Sequence, residues 1–261
     1  MHSALWVAKT GLNAQDHGLT TVSNNLANVS TTGFKRDRAV FEDLIYQIQR
    51  QPGALSSQDS RLPSGLQLGT GVKVSGTQKI WTTGDLQETG QPLDLAINGR
   101  GFFQITLPDG NIAYSRDGTF HMDNEGQVVN VSGYLLEPNI TIPDQTTTLT
   151  ISKDGIVSAT QIGETTPTEI GQIPMVDFIN PAGLQAIGGN LFLQTASSGD
   201  PQEGVAGEAG FGSIEQGFLE NSNVKVVEEL VHMITVQRAY EMNSKVVSSA
   251  DQMLQYLAQN T

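Results

Sequence analysis

Leucine recurs at every seventh position from Leu5 through Leu12, Leu19 and Leu26, and a second heptad row, Val226, Met233, Tyr240, Val247 and Leu254, runs through the last forty residues. A seven-residue apolar repeat is the signature of a helix with a partner along its length, so both ends of the chain are expected to be helical and to face another helix. Ala8, Val22 and Val29 fill the companion row at the first end, broken at Gln15, and the helix should stop near Ser30-Thr31-Thr32-Gly33. At the second end no Gly or Pro interrupts Val224 to Asn260, Leu230, Val236, Ala250 and Leu257 flank the main row, and Asn221-Ser222-Asn223 offers caps.

The region between the helices has the opposite texture. Turn dipeptides, Asn98-Gly99, Asp109-Gly110, Asp117-Gly118, Glu125-Gly126, Ser132-Gly133 and Asp154-Gly155, separate short β-prone runs such as Phe102-Phe103-Gln104-Ile105-Thr106-Leu107. That punctuation predicts antiparallel strands joined by tight hairpins. Residues 195–213, rich in Ser, Gly, Glu and Ala, read as a connector, and residues 51–71, with Pro52, Pro63 and four Gly, as a linker or projecting loop. The fold class is α+β: paired, coiled-coil-like terminal helices with an inserted, mainly antiparallel β region. The expected divisions are 1–33 with 222–261 as a helical polymerisation domain, 34–92 with 196–221 as a connector and β region, and 93–195 as an outer β domain.

Charge follows the same division. The net charge of −13 over 261 residues is carried by residues 51–222, while residues 1–50 sum to +1 and residues 223–261 to −1. Such a balance argues against binding a phosphate backbone, which takes its affinity from Lys and Arg. Neutral ends can approach copies of themselves while acidic middles repel, so association is expected at the ends. One apolar stripe does not offset the entropy of ordering a long helix, and the ends of the monomer are therefore expected to be poorly ordered and to fold on assembly. No run is long and apolar enough for a membrane span, and the opening residues lack a cationic segment and a cleavable apolar core.

A search for chemistry returns little. Cysteine is absent, which removes disulfides, thiolate nucleophiles and Cys-held metals. His2, His17, His121 and His232 form no metal-binding pair, Gly69 to Lys73 lacks phosphate-loop spacing, and Gly212-Ser213 lacks the upstream half of a nucleophile elbow. Asp117, Asp123 and Glu125 do not follow the pattern of a calcium loop, and Asp94, Asp109, Asp117 and Asp123 sit in turns where acids serve backbone geometry. No catalytic, cofactor-binding or metal residues are therefore assigned. From the residues alone, an acidic β-rich hydrolase or carbohydrate-binding module with helical arms remains an alternative.

Asn24-Asn25-Leu26-Ala27-Asn28-Val29-Ser30-Thr31-Thr32-Gly33-Phe34-Lys35-Arg36 resembles the signature of flagellar basal-body rod and hook proteins. The likeness continues through Leu93 to Phe103, Tyr114 to Phe120, Glu220 to Val224 and Gln237 to Lys245, so it covers essentially the whole chain. Length and the segment 46–71 most resemble the distal-rod members of the family; a proximal rod or hook subunit is the alternative within it. The resemblance implies a non-enzymatic structural subunit without cofactors, forming a helical homopolymer that transmits motor torque to the hook. It further implies synthesis in the cytoplasm, passage through the flagellar type III export apparatus without signal cleavage, and a place in the rod across the periplasm. The implied partners are copies of itself, proximal rod proteins, the hook protein and the P-ring and L-ring proteins. By position, Leu5, Leu12, Leu19 and Leu26 are expected to pack with Val226, Met233, Tyr240, Val247 and Leu254 within and between subunits. Asn24, Asn25, Leu26, Ala27, Asn28, Gly33 and Phe34 would shape the turn out of the first helix, and the segment holding Tyr46, Pro52, Pro63 and Gly71 would bridge neighbouring subunits.

Overall fold

The computed structural model describes residues 3–53, 63–163, 166–208 and 210–259, with Leu257 and Ala258 described by backbone only. His2, the Leu257 side chain and residues 54–62 of the bridging segment therefore lie outside the described residues. Two α-helices bracket a series of short strands, α1 (Ser3–Ala27) and α2 (Val226–Gln259), and the middle is antiparallel β structure, so the chain is α+β. Residues cluster into two units: 1–27, 37–78 and 225–261 form a helical unit, and 28–36 with 79–224 form a β unit.

In the helical unit α1 and α2 lie antiparallel. A Cβ placed on Gly11 would stand 3.0 Å from the Asn243 side chain and one on Gly18 would stand 3.8 Å from Val236, while Asn25 Nδ2 donates to Glu229 Oε2 at 3.5 Å. Each step of seven residues along α1 is matched by seven backwards along α2, which keeps both heptads in register along the seam. Strands Asp37–Asp43 and Val72–Lys79 pair beside α1, where Val72 N donates to Thr10 Oγ1 at 3.3 Å. Strands Tyr46–Arg50 and Leu66–Gly69 form an antiparallel ribbon with Tyr46 opposite Gly69.

The β unit is built on a seven-stranded sheet ordered Gln185–Gly188, Leu191–Leu193, Ile112–Ser115, Phe103–Thr106, Leu135–Glu137, Val128–Asn130, Phe120–Met122. Its central strand is buried on both faces: on one, Phe103 joins a large core with Leu95, Ile97, Phe120, Leu136 and Ile214 and Ile105 a smaller cluster with Ala113 and Leu191, and on the other Gln104, only 3% exposed, stands opposite Tyr114. Successive side chains of a strand point to opposite faces, so the burial of Phe103, Gln104 and Ile105 in a row means that both sides of the sheet are covered there. A third cluster of Phe102, Tyr114, Phe178 and Phe192 stacks edge to face with Trp81.

Most turn dipeptides close hairpins or tight turns, as at Asp109-Gly110, where Gly110 N donates to Leu107 O at 2.9 Å. Asp117-Gly118 works differently: a Cβ on Gly118 would collide with the Leu95 carbonyl, and this glycine serves close backbone approach, with Leu95 N donating to its carbonyl at 3.0 Å. Residues 195–213 are not wholly a connector, since Gln202–Gly204 pairs with Met175–Asp177 and Ala206 is buried. Among the described residues no helix is long and apolar enough to cross a membrane.

Candidate assembly surface

The face of α1 that meets α2 is made of small and polar residues. Ala8, Ala14, Gly18, Val22 and Asn25 are its buried positions, and on α2 the buried ones are Glu229 and Ala250, with Val236 and Asn243 half-buried. Small side chains let the two backbones approach closely, and the polar members close their own hydrogen bonds. Asn25 Nδ2 donates to Asp37 O and Asn25 Oδ1 accepts from Asp37 N, both at 2.8 Å, so this one side chain ties the last turn of α1 to the start of the following strand.

The leucine row lies to one side of that seam. Leu12, Leu19 and Leu26 follow the seam residues Gly11, Gly18 and Asn25 by one position, about 100° round the helix, and these three and Leu5 are half-buried. On α2 Met233, Val247 and Leu254 are half-buried, while Val226 and Tyr240 are exposed. The structure thus brings part of the second heptad row towards the seam and leaves part of it in solvent.

A surface that the heptad pattern did not single out lies on the outward side of α2. Val227, Val231, Ile234, Met242, Val246 and Met253 are all exposed, Val227 to 75% and Met242 to 62%. Val227, Val231 and Ile234 lie about 140–180° round the helix from Glu229 and Val236, on the side away from α1, whereas Met242 lies about 100° from Asn243 and Val246 and Met253 flank the seam about 60° from Asn243 and Ala250 respectively. Their signal was present in the sequence as Val227, Val231 and Ile234 at i, i+4 and i+7. A helix apolar on two opposite sides is covered on one side by its own chain and has a second side to cover elsewhere. Trp6 and Val7 add exposed apolar surface at the start of α1.

The ribbon of the 46–71 segment adds another apolar surface. Tyr46, Ile48, Leu66 and Leu68 are exposed, with Ile45 beside them at 86%. Leu68, Gln47, Gly69 and Thr70 line a groove with Ser3, Trp6 and Val7 of α1. The Asp43 carboxylate, hydrogen-bonded to the Tyr46 hydroxyl, pushes that phenol above its ordinary pKa. Pro52 and Pro63 are exposed on either side of residues 54–62, and Gly71 sits against the Thr10 side chain.

The segment after α1 leaves the helix earlier than expected. α1 ends at Ala27, and Thr31 N donates to Asn28 O at 3.2 Å in the turn that follows. Gly33 has φ +68° and its backbone passes so close to Arg116 and Asp117 that a Cβ would meet Asp117 N at 2.7 Å. Phe34 is half-buried and its ring carries the Lys79 ammonium 5.3 Å from its centre.

Beside Phe34 is a buried ion cluster that pattern reading missed. Lys35 Nζ donates to Glu220 Oε1 at 2.5 Å and to Thr82 O at 2.9 Å. Arg116 Nη1 donates to Glu220 Oε2 at 3.4 Å and Nη2 to Gly99 O at 2.6 Å. The Lys35 and Glu220 side chains are 0% exposed. Two cations thus share one carboxylate. Burial pushes the Lys35 ammonium below its ordinary pKa, Glu220 opposing and Arg116 reinforcing the shift, and burial pushes Arg116 the same way. Nothing in a single sequence marks a Lys as buried, since an isolated Lys reads as surface.

Among the described residues no group of three or more His, Asp or Glu could hold a metal ion. The arrangement offers apolar helix faces and ribbons for association.

Comparison with known proteins identifies the same pattern along the whole chain. Residues 5–35 match a profile described as flagella basal body rod protein, residues 96–159 one described as flagellar hook protein FlgE/F/G D1 domain, and residues 215–260 one described as flagellar basal body rod FlgEFG protein C-terminal. The chain is 54% identical to flagellar basal-body rod protein FlgG of Buchnera aphidicola subsp. Schizaphis graminum, over 99% of this chain and 100% of that one. It is 48% identical to the protein of the same name from Borreliella burgdorferi, over 97% of each chain. The counterpart in Bacillus subtilis is 37% identical over 98% of each chain.

Proposed function

The chain belongs to the flagellar basal-body rod protein family, and from that premise we propose how its two units divide the work of a rod. It is a structural subunit of the flagellar basal body, where it assembles with other flagellar components. α1 and α2 form the inner wall of a helical, hollow homopolymer, and the acidic β unit faces outward. Leu5, Leu12, Leu19 and Leu26 with Val226, Met233, Tyr240, Val247 and Leu254 complete their packing against neighbouring copies. The observation that carries this reading is the exposed apolar surface of α2, with Val227, Val231 and Ile234 on the side away from α1 and Met242, Val246 and Met253 exposed further along, on a chain end (residues 223–261) whose charges sum to only −1.

Asn24, Asn25, Leu26, Ala27, Asn28, Gly33 and Phe34 set the direction in which the chain leaves the inner helix, with Asn25 as the tie. The 46–71 segment, including Tyr46, Pro52, Pro63 and Gly71, reaches a neighbouring subunit and stiffens the tube. In the cell the subunit crosses the inner membrane through the flagellar type III export apparatus without cleavage. It occupies the distal part of the rod in the periplasm, below the hook, above the proximal rod proteins and inside the P and L rings. Its task is mechanical, torque transmission and conduction of later export substrates, and no reacting group is assigned.

Electron microscopy of the purified chain at high concentration tests the reading. Helical tubes are expected, and a chain that stays monomeric at every concentration contradicts it. Deleting residues 46–71 is expected to give a more bendable polymer, and unchanged stiffness contradicts the bridging role.

A further inference from the structure

The chain passes between its helical and β units four times, at 27/28, 36/37, 78/79 and 224/225. On the β side, the crossings at 36/37, 78/79 and 224/225 are bound to one another, and the segment that follows 27/28 is tied to the same unit at Thr32 and Gly33. Arg36 N donates to Asn223 Oδ1 at 2.8 Å, and Ile80 N donates to Arg36 O at 3.0 Å. Asn223 Nδ2 in turn donates to Ile80 O at 2.8 Å and to Thr82 O at 3.1 Å. Gly33 N donates to Glu220 O at 2.7 Å, and Asn190 Nδ2 donates to Thr32 O at 3.0 Å. Under these ties lies the Lys35, Glu220 and Arg116 cluster, whose carboxylate also accepts from Gly84 N at 2.8 Å.

We infer that residues 28–36, although continuous with α1, fold as part of the β unit and act as a positioning clamp, centred on Lys35, Arg116 and Glu220, that fixes the roots of both terminal helices. The inference goes beyond the assembly reading, because it concerns the free subunit. Ala27 is followed directly by the clamp, and Val224, itself buried, leads from it into α2. Helices that start from fixed, neighbouring points find each other without closing a loop of nearly two hundred residues, and closing so long a loop carries an entropic cost that grows with its length. A buried charge group suits this task. Arg116 Nε has no hydrogen-bond partner even in the complete cluster. The Lys35 ammonium, the Glu220 carboxylate and the two outer nitrogens of Arg116, however, are all bonded only when the three residues are in place, so a partly formed clamp is penalised more than an apolar contact of the same size.

The β unit holds the large buried side chains while the helical unit buries mainly small ones. The helical unit should therefore open at lower cost, and the question is which unit the clamp opens with. Residue-resolved amide hydrogen exchange of the full chain, dilute and in rising sub-denaturing urea, answers it. Gly33 and Arg36 are expected to exchange at least tenfold more slowly than Gly18 and Val22 of α1 and to respond to urea as Phe103 and Val128 do. If Gly33 and Arg36 follow α1, or if all amides share one isotherm, the inference is overturned. Glu220→Gln is expected to raise exchange at Gly33 and Arg36 at least tenfold, and unchanged protection there removes the ion cluster from its role. Should that variant fail to fold, the unsubstituted chain still decides. Polymer formation is not read, so failure here and failure of the assembly reading are separate results.

Discussion

The β unit buries Phe102, Phe103, Phe120 and Phe178 almost completely, whereas the helical unit closes its own seam with Ala8, Ala14, Gly18 and Ala250 and leaves Val227, Ile234 and Met242 in solvent. The first has used its large side chains on itself. The second has used its small ones, which permit close approach but remove little apolar area from water, and has kept its large ones for the outside. The contrast is the one expected of two tasks along one chain, a self-sufficient body and, on the proposed function, a pair of helices whose packing is finished by other copies. Charge divides the same way, with the excess of acid outside residues 1–50 and 223–261.

The contrast is most sharply tested by substitutions of similar size in the two units. Phe103→Ala should lower the stability of the β unit by about 3–5 kcal/mol in a urea titration, whereas Leu12→Ala, at a half-buried site, should cost the free chain about 1 kcal/mol or less. Assembly should reverse the order, with Leu12→Ala the more harmful to polymer yield. Equal losses in the free chain would dissolve the distinction between the units.

Next in size is an asymmetry within the ion cluster. Glu220→Leu strands two buried cations and should cost about 3–5 kcal/mol. Lys35→Met leaves Arg116 and Glu220 as a one-to-one pair and removes a charge that burial already disfavours, so its cost should be less than half as large. Chemical denaturation of both variants checks the ratio, and a costlier Lys35→Met would mean that the two cations do not compete for one carboxylate.

How much of this was legible follows from what each feature requires. The terminal helices were legible because a heptad of Leu or Val is a strong signal, and the hairpins because turns need Asn, Asp and Gly. The contact face of α1 was not, because Gly11, Ala14, Gly18 and Asn25 carry no apolar signal; what selects them is closeness to α2, which only the fold supplies. The outward stripe of α2 was partly legible and was overshadowed by the row at Val226, Met233 and Tyr240, since a helix apolar on two sides has two periodic patterns in one sequence. The role of Lys35 was illegible, although the residue lies within the family signature, because its partners Thr82, Arg116 and Glu220 are far away along the chain. The end of α1 came earlier than Gly33 suggested: Asn28 and Thr31 close a turn directly after Ala27, and Asn25 then binds the backbone of Asp37 where the chain comes back to the helix.

A smaller effect concerns the seam itself. A methyl group added at Gly18 would come no closer than 3.8 Å to its nearest neighbours, Phe41 and Val236, so Gly18→Ala should fit and raise helix stability by about 0.5–1 kcal/mol. A higher melting temperature by circular dichroism is expected, and a lower one would show the seam to be tighter than described.

The smallest expected effect is electrostatic. Hydrogen bonds from Lys73 and Ser75 hold the exposed Glu42 carboxyl below its ordinary pKa. Because the folded value is the lower one, the contribution of Glu42 is present above the ordinary carboxylate range and is lost as pH falls through the folded value. Carboxyl chemical shifts followed by acid titration should place Glu42 below the other exposed glutamates, and Lys73→Met should bring it back towards them.

The proposal for the rod rests on one division: terminal helices that join one subunit to the next, and a β unit that folds by itself. Leu12→Asp combined with Met233→Asp, placed in the only copy carried by a flagellated cell, tests it when basal bodies are isolated and imaged. Truncated rods and immotile cells are expected, with the purified variant keeping the near-ultraviolet circular dichroism of an intact β unit. Complete rods and swimming cells would contradict it.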